Sequence, residues 1–330
     1  MLNNKSILIT GGTGSFGTAF LEHCLKNYKK IKKIVVFSRD ELKQYNLAQK
    51  FSTKKFRNLR YFLGDIRDMQ RLNRALEGID YVIHAAALKQ VSTAEYNPGE
   101  TIKTNVTGTQ NLIEASLNNN VKKIIALSTD KAASPLNLYG ATKLCAEKLI
   151  VSANNIRGNR SINFSVIRYG NVFGSRGSVL HEFLRQKKNG VLNITDKRMT
   201  RFNIELKDSI KLALYALKNS SGGEIFIPKL SSFNIVDLAK AIAPECRLAF
   251  KGIRPGEKLH EEMFTESESL SCFENKEMFL IVPGTDNKLR NNYLKSNRWK
   301  PNKKILSYNS KENPNFLSIQ QLKSLVNKYK

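Results

Sequence analysis

The sequence is poor in the features that mark several classes of protein. Its 330 residues include only four cysteines, and these stand at no disulfide or metal-ligand spacing. We therefore expect a reduced, cytoplasmic chain without a bound metal, and set aside a disulfide-stapled secreted domain. The first apolar run is too short for a secretory signal, and none approaches the about 20 residues of a membrane-spanning helix, so we expect no membrane insertion.

Acidic residues are also scarce: 28 Asp and Glu stand against 54 Lys and Arg, a formal net charge of +26. The stretch from Lys288 to the end holds 11 basic residues and one acidic residue, Glu312. Such a charge favours an anionic partner. A nucleic-acid-binding protein is one interpretation, but the basic stretch contains no recognisable nucleic-acid-binding module. We expect the charge to attract a dianionic small substrate, and expect no nucleic acid as partner.

Short apolar runs alternate with helical periodicity through the first half of the chain. The runs indicate buried strands at residues 7–9, 34–37, 61–63, 81–83, 124–127 and 164–167. This repetition predicts an α/β fold with a doubly wound parallel sheet, a Rossmann domain over residues 1–170. After Gly170 glycines and basic residues cluster, which predicts a smaller, mainly substrate-binding domain over residues 171–330, with elements near 203–230 returning to the main sheet.

A glycine-rich segment follows the first strand directly and opens a helix. Gly11 suits a tight turn, Gly14 a close approach of the backbone to a pyrophosphate, and Gly17 close packing of the helix on the strand. The helix N-terminus also attracts phosphate groups. We expect this segment to bind a dinucleotide through Gly11, Thr13, Gly14, Ser15, Phe16 and Gly17.

The end of the second strand indicates which dinucleotide binds. An acidic residue at this position binds the 2′-hydroxyl of NAD, whereas an arginine suits the 2′-phosphate of NADP. The chain has Arg39 here, with Ser38 before it and Lys43 nearby, which predicts NADP. Asp40 keeps NAD open as the alternative.

Later strand ends add further candidates for cofactor contacts. Asp65 and Ile66 follow the third strand and are placed to cap the adenine, although Asp65 could instead cap the next helix. Lys89, in the loop after the fourth strand, could reach cofactor or sugar. The other predicted contacts are Ala85, Ala87 and Asn105.

A candidate catalytic segment ends the fifth strand, at the edge where ligands bind in open parallel sheets. It contains Thr129, Asp130 and Lys131, and a surface ion pair is the plain alternative for the charged residues. Tyr139 and Lys143 follow at a spacing of four, so they share one helix face. A cation beside a phenol lowers the pKa of the phenol and prepares it to take a proton from a sugar hydroxyl.

These motifs carry a resemblance to a known family. The matching segments are GGTGSFG, SRDELKQ, HAAALKQV, AEYNP, LSTDKA, LYGATK, RYGNVFGSRGSV, ITDKRMTRF and IRPGEKLHEEM. Together they resemble the soluble inverting UDP-N-acetylglucosamine 4,6-dehydratases (5-epimerising) of the extended short-chain dehydrogenase/reductase superfamily. The resemblance covers roughly residues 5–265. It implies the first step of pseudaminic acid synthesis, and a homo-oligomeric enzyme.

The resemblance also implies roles for the catalytic segment. Tightly bound NADP oxidises the sugar at C4 while Tyr139, activated by Lys143, takes the hydroxyl proton. Lys131 then removes the proton at C5, and Asp130 protonates the departing C6 hydroxyl. The cofactor reduces C6 and is regenerated, and C5 is reprotonated from the opposite face. These roles require a lowered pKa for Lys131 and a raised pKa for Asp130, against the attraction between the two charges.

The substrate side of the site follows from the same resemblance. Arg201 and Arg254 are the candidates for the diphosphate of a UDP-sugar, because a guanidinium fork suits phosphate. The full set of predicted substrate contacts is Lys89, Asn171, Ser178, Val179, Thr195, Met199, Arg201, Arg254 and Glu257, with Thr129 orienting the ligand.

Other branches of the superfamily are alternatives to the inverting dehydratases. Membrane-bound relatives that retain the C5 configuration typically carry Met at the position of Tyr139, so this tyrosine, with the chain length, favours the inverting branch. Other retaining dehydratases and 4-epimerases commonly have Ser or Thr, or an Asp-Glu pair, in place of Asp130 and Lys131. Three departures bear on substrate choice, since His, Pro and Trp are usual where this chain has Gln90, His181 and Asn203.

Overall fold

The apolar runs of the first half form the centre of a large sheet. The computed structural model describes residues 1–303 and 305–329; Lys304 and Lys330, two members of the basic C-terminal stretch, lie outside the described residues. The strands are β1 (Ser6–Thr10), β2 (Lys33–Ser38), β3 (Leu59–Leu63), β4 (Tyr81–His84), β5 (Lys123–Thr129), β6 (Asn163–Tyr169), β7 (Asn171–Val172), β8 (Val191–Ile194), β9 (Thr200–Ile204), β10 (Ile225–Pro228), β11 (Ser231–Asn234), β12 (Arg247–Phe250), β13 (Glu262–Phe264), β14 (Cys272–Glu274), β15 (Met278–Ile281), β16 (Lys300–Pro301) and β17 (Tyr308–Asn309).

Helices connect most of these strands. They are α1 (Ser15–Asn27), α2 (Glu41–Lys50), α3 (Met69–Leu76), α4 (Val91–Tyr96), α5 (Pro98–Ile102), α6 (Gly108–Asn118), α7 (Leu138–Ile156), α8 (Val179–Lys187), α9 (Leu206–Asn219), α10 (Ile235–Ile242), α11 (Glu266–Ser269), α12 (Asn287–Leu294) and α13 (Ile319–Asn327). Polar caps start several of them; the Asn137 side chain accepts from the amide of Gly140 (2.8 Å) and begins α7. Within residues 1–303 and 305–329, no helix is long and apolar enough to span a bilayer.

The main sheet has the order β16-β14-β15-β10-β6-β5-β4-β1-β2-β3. The seven strands from β3 to β10 are parallel, so the six predicted strands and the doubly wound parallel sheet are confirmed. The winding reverses between β1 and β4, because β2 and β3 lie on one side of β1 and the later strands on the other. This reversal opens a crevice at the carboxyl ends of β1 and β4.

Both faces of the parallel sheet are covered. On one face α1 packs against α9, and on the other α6 packs between α3 and α7. The strand side chains are therefore buried on both sides, as Val35 and Ile83 illustrate. Each fully buried aliphatic side chain of this kind contributes about 1.5–3 kcal/mol to folding.

The chain after residue 170 divides between two cores. Helices α8, α10 and α13, with β8, β11 and β12, surround a second apolar cluster that includes Phe183 and Leu238; we call these elements the second region. In contrast, β10, β14, β15 and β16 join the main sheet, the last three as antiparallel strands. The sequence analysis did not foresee these antiparallel strands, because two to four residues are too few to show a period.

Candidate active site

A cavity of about 1080 Å³ opens at the carboxyl ends of the central parallel strands. Its walls come from the loops after β1, β4, β5 and β6 and from residues 193–206 and 251–257. The structure brings most of the predicted site residues to this cavity. Those that line it are Gly11, Gly14, Ser15, Phe16, Gly17, Ala85, Ala87, Lys89, Thr129, Asp130, Lys131, Tyr139, Lys143, Asn171, Ser178, Val179, Thr195, Met199, Arg201, Arg254 and Glu257.

The glycine loop (residues 11–17) allows a close approach of backbone atoms. Gly11 has a φ of +62°, a conformation that favours glycine. A Cβ at Gly17 would lie 2.5 Å from the Cα of Gly12, so no larger residue fits there. Helix α1 begins after Gly14 without a side-chain cap, which leaves its first amide groups available to a ligand. The glycine loop therefore fits a pyrophosphate group.

A buried histidine that the sequence analysis did not single out supports the glycine loop from behind. His84, at the end of β4, shares hydrogen bonds with the hydroxyls of Thr10 (2.8 Å) and Thr109 (3.1 Å). The Thr10 hydroxyl also accepts from the amides of Ala85 and Ala86. Burial lowers the pKa of His84 to about 3, so the ring is neutral. This network ties β1 to β4 at the crevice.

The predicted contacts at the end of β2 lie outside the cavity wall. Asp40 is fully engaged there, because its carboxylate caps α2 through the amide of Lys43 (2.9 Å) and pairs with the Lys43 ammonium (2.6 Å). Arg39 is about half exposed, and its Nη1 lies 3.9 Å from the carboxylate of Asp65. Among the described residues, the Arg39 guanidinium makes no other ion pair, so most of its N–H donors are available to a ligand.

The ends of β2 and β3 lie side by side, with Ser38 paired to Leu63, and contacts there tie β2 to the glycine loop and Asp65 to Arg67. The hydroxyl of Ser38 is 2.9 Å from the hydroxyl of Thr13, so β2 is joined to the glycine loop. The alternative interpretation of Asp65 as a helix cap is wrong, because Asp68 caps α3. Asp65 instead pairs with the guanidinium of Arg67 (2.7 Å).

Two further predicted cofactor residues lie behind the cavity rather than at its wall. Ile66 is buried against Gly108 of α6. Asn105 is also buried, and its amide group donates to the carbonyl of Leu88 (2.9 Å) and the hydroxyl of Thr142 (3.0 Å). Its carbonyl accepts from the amide of Leu88 (2.8 Å). Asn105 therefore holds the loop after β4 in place.

The end of β5 carries a buried cluster of charged groups. The Asp130 side chain is 1% exposed, and its Oδ1 accepts from the Thr129 hydroxyl (2.9 Å) and the Lys131 ammonium (3.0 Å). Its Oδ2 has no hydrogen-bond partner among the described residues. The carboxylate of Glu261 lies 3.0 Å from the other side of the Lys131 ammonium and is 2% exposed. Glu261 lies in the matching segment IRPGEKLHEEM but was assigned no role, because it is remote in sequence from Asp130 and Lys131.

The cluster confirms one predicted pKa shift and corrects the other. Burial raises the pKa of Asp130 despite the opposing charge of Lys131, as the sequence analysis expected. For Lys131 the expectation of a lowered pKa is wrong. Burial acts in that direction, but the charges of Asp130 and Glu261 together outweigh it and raise the pKa.

Tyr139 and Lys143 share one face of α7, as their spacing predicts. The Lys143 ammonium donates to the carbonyl of Leu127 (2.7 Å), and burial lowers its pKa to about 8. Burial raises the pKa of Tyr139 to about 12, while the charge of Lys131 acts in the opposite direction. The net pKa shift of the phenol is therefore upward, whereas the sequence analysis expected a lowered pKa.

The two arginines predicted to bind a diphosphate differ in their free donors. Arg201 is mostly buried and lies 3.5 Å from the Glu261 carboxylate. Its guanidinium donates to the backbone carbonyls of Thr200 (2.7 Å), Lys258 (3.0 Å) and Leu259 (3.1 Å). Arg254 is exposed, and among the described residues its guanidinium pairs with Glu257 alone. Arg254 is therefore the one with donors to offer a ligand, and Arg201 holds the segment that carries Glu261.

The three departures from the family pattern are not equivalent in space. Gln90 and Asn203 line the cavity, whereas His181 lies outside its wall with Nε2 3.2 Å from the carbonyl of Gly174. Asn203 Oδ1 and Ser178 Oγ are buried without a partner among the described residues. Since buried polar atoms are normally hydrogen-bonded and both residues line the cavity, these two atoms are candidates for contacts to a polar ligand.

Comparison with known proteins places this geometry in a family. A family model described as a polysaccharide biosynthesis protein matches residues 7–283. The inverting UDP-N-acetylglucosamine 4,6-dehydratase of Campylobacter jejuni is 50% identical over 334 residues, 99% of this chain and 98% of the relative. A UDP-glucose 4-epimerase of Rickettsia conorii is 42% identical over 288 residues, 85% of this chain and 84% of the relative. The X-ray structure of Pen from Bacillus thuringiensis, 39% identical, matches with a TM-score of 0.91 over 99% of this chain and 98% of Pen. The chain belongs to the polysaccharide biosynthesis protein family.

Proposed function

We propose that the protein is a UDP-N-acetylglucosamine 4,6-dehydratase that inverts C5, a hydro-lyase whose product is a UDP-2-acetamido-2,6-dideoxy-4-keto-L-arabino-hexulose. The observation that carries the proposal is the ion pair between the buried Asp130 and the partly buried Lys131, at the cavity wall that also holds Tyr139. A dehydratase needs an acid and a base at the sugar in addition to the group that assists oxidation. The full-length similarity to the Campylobacter jejuni dehydratase supports this substrate.

The glycine loop is proposed to hold a nicotinamide dinucleotide. When bound, this cofactor supplies reversible redox chemistry, accepting a hydride from sugar C4 and returning it at C6, so no external reductant is needed. Tyr139 is the group that takes the proton of the C4 hydroxyl. Its pKa of about 12 must fall for this, and the charge of Lys131 already acts in that direction. Lys143, with a pKa of about 8, stays largely cationic at neutral pH.

Asp130 and Lys131 are proposed to act together in the elimination. Transfer of one proton from the Lys131 ammonium to Asp130 Oδ1, 3.0 Å away, creates both a neutral amine and a neutral carboxylic acid. The amine can then remove the proton at C5, and the acid can protonate the leaving C6 hydroxyl. Burial of Asp130 favours the neutral pair, whereas Glu261 opposes it by stabilising the ammonium. Asp130 Oδ2, which has no hydrogen-bond partner among the described residues, is the atom that we propose donates to the leaving oxygen.

A 4-epimerase is the second candidate, because the Rickettsia conorii relative carries that name. Proton NMR of the purified protein with UDP-N-acetylglucosamine in D₂O, without added cofactor, separates the two. We expect a 4-keto-6-deoxy sugar with inverted and deuterated C5. Retained C5 would contradict the inverting assignment, and a sugar changed only at C4 would establish the epimerase and remove the elimination roles of Asp130 and Lys131.

The cofactor is proposed to be NADP, because Arg39 has donors free while Asp40 is engaged with Lys43. In an Arg39→Ala variant we expect the affinity for NADP to fall by about 10- to 100-fold, the size of one or two charge-assisted hydrogen bonds. The affinity for NAD should not change. Calorimetric titration with both dinucleotides checks this, with Arg74→Ala, an exposed arginine of α3, as the control. Equal losses for NADP and NAD would contradict the assignment.

Three more specific proposals, on location, pathway and assembly, rest on the resemblance. We place the enzyme in the cytoplasm, at the first step of pseudaminic acid-type sugar synthesis, and as a homo-oligomer. We also propose that the predicted substrate contacts at the cavity wall bind the UDP-sugar. They are Asn171, Ser178, Val179, Thr195, Met199, Arg201, Arg254 and Glu257. Arg254 is the first choice among them for the diphosphate, because its guanidinium is exposed.

A further inference from the structure

Arg176 lies just before the second region and contacts the glycine loop. It lies in the turn between β7 and α8, and its backbone amide donates to the Ser15 hydroxyl (3.3 Å). Its guanidinium Nη2 donates to the carbonyl of Thr13. Ser15 and Thr13 both belong to the glycine loop, so a residue remote in sequence meets the segment that fits a pyrophosphate.

A second cation lies against the same turn. The Lys89 ammonium donates to the carbonyl of Arg176 (3.3 Å), and both residues line the cavity. Among residues 1–303 and 305–329, no carboxylate pairs with either side chain, and only one N–H of the Arg176 guanidinium is engaged. Burial lowers the pKa of Lys89, and the charges of Arg176 and Lys131 lower it further. Both residues are exposed at the cavity wall, so their positive charges favour an anionic occupant of the cavity.

We propose that Arg176, assisted by Lys89, is a clamp on the pyrophosphate of the dinucleotide cofactor. The guanidinium fork suits two phosphate oxygens, and its position at Thr13 and Ser15 directs it to the group that the glycine loop holds. The inference rests on the proposed function, in which the cofactor must stay bound through two redox steps. Arg176 lies in the turn before α8 and contacts the glycine loop. A clamp in this position slows the release of the cofactor between the two redox steps.

The diphosphate of the UDP-sugar is the other anion in this cavity. The contacts favour the cofactor, because Arg176 touches the glycine loop, whereas Arg254, the candidate for the substrate, comes from the loop after β12. Binding of Arg176 to the cofactor and binding of Arg176 to the substrate predict different results for its variants. Loss of a cofactor clamp accelerates the release of the dinucleotide, whereas loss of a substrate contact weakens the binding of UDP.

The test compares wild type with Arg176→Ala, Arg176→Lys and, as the matched control, Arg185→Ala. Arg185 is an exposed arginine of α8 paired with Glu182. The release of NADPH is followed by its fluorescence after mixing with excess NADP, and UDP binding is followed by calorimetry. We expect Arg176→Ala to release NADPH at least about 10-fold faster. Arg176→Lys should fall between Arg176→Ala and wild type, and Arg185→Ala should match wild type. UDP affinity should stay within about twofold of wild type in all variants.

Each other outcome overturns the inference in a distinguishable way. Unchanged release in Arg176→Ala would remove the clamp while leaving the proposed function intact. Weakened UDP binding with unchanged release would assign Arg176 to the substrate. A wild-type protein that binds no nicotinamide dinucleotide would overturn the proposed function together with the clamp.

Discussion

Replacement of Lys131 by methionine should lower kcat by about 10²- to 10⁴-fold, the usual contribution of a general acid or base. Methionine keeps much of the side-chain volume but has no ammonium to give or take a proton. In the proposed mechanism Tyr139, and not Lys131, is the base for the oxidation at C4, so the reduced cofactor should accumulate during a single turnover. Rapid mixing of the loaded enzyme with UDP-N-acetylglucosamine, followed by the absorbance of the reduced nicotinamide, measures this accumulation.

The matched control is Lys240→Met, which changes an exposed lysine of α10 and should leave kcat unchanged. A Lys131→Met enzyme that keeps wild-type kcat would show that another group removes the C5 proton. A variant with low kcat and no reduced cofactor would place the defect at the oxidation step, and the proposed division of roles between Tyr139 and Lys131 would fall.

Replacement of Arg168 by methionine should lower the free energy of unfolding by about 3–5 kcal/mol, as expected when a buried ion pair loses one partner. The Arg168 side chain is fully buried in β6 and donates to Glu147 of α7 and to the carbonyl of Met263 (2.7 Å). It also pairs with Glu268 of α11 (3.0 Å). Without the guanidinium, the Glu147 carboxylate, 2% exposed, remains buried with its charge uncompensated. Urea denaturation followed by circular dichroism measures the change.

Two further variants separate this effect from loss of side-chain volume. Arg185→Met breaks an exposed ion pair and should change the free energy of unfolding by only about 0–1 kcal/mol. The double variant Arg168→Met with Glu147→Leu removes both buried charges and should recover part of the lost stability. If the double variant is no more stable than Arg168→Met alone, the buried charge of Glu147 is not the cause.

The parallel half of the fold was predictable because its information is local. Each of the six predicted strands is a short apolar run between helical segments, and burial on both faces of the sheet requires this pattern. The antiparallel strands β14–β16 were not predictable, because their few residues pair with neighbours chosen by the rest of the sheet. The same limit explains why the alternative of Asp65 as a helix cap is wrong, since Asp65 and Asp68 both precede α3 and only the backbone path selects Asp68.

The sequence alone was enough to predict which residue types meet at the crevice. A glycine loop after the first strand and an acid–lysine pair at the end of the fifth must come together, because parallel strands end at a common edge. The ionisation of that pair depends on the tertiary structure. The carboxylate of Glu261, brought by the loop before β13, raises the pKa of Lys131, whereas its sequence neighbour Asp130 was the only partner that the chain order revealed.

Contacts between distant segments decided the remaining features of the site. Arg201 was predicted to bind phosphate, but the fold directs its guanidinium to the backbone before Glu261. Arg176, in the matching segment RYGNVFGSRGSV, was assigned no role from the sequence, yet the turn before α8 places it on the glycine loop. The sequence by itself determined the parallel part of the sheet, the glycine loop and the candidate acid–base pair, because these depend on local pattern and strand order. Only the tertiary structure decided the charges around them, since electrostatic interactions depend on distance in space and on burial.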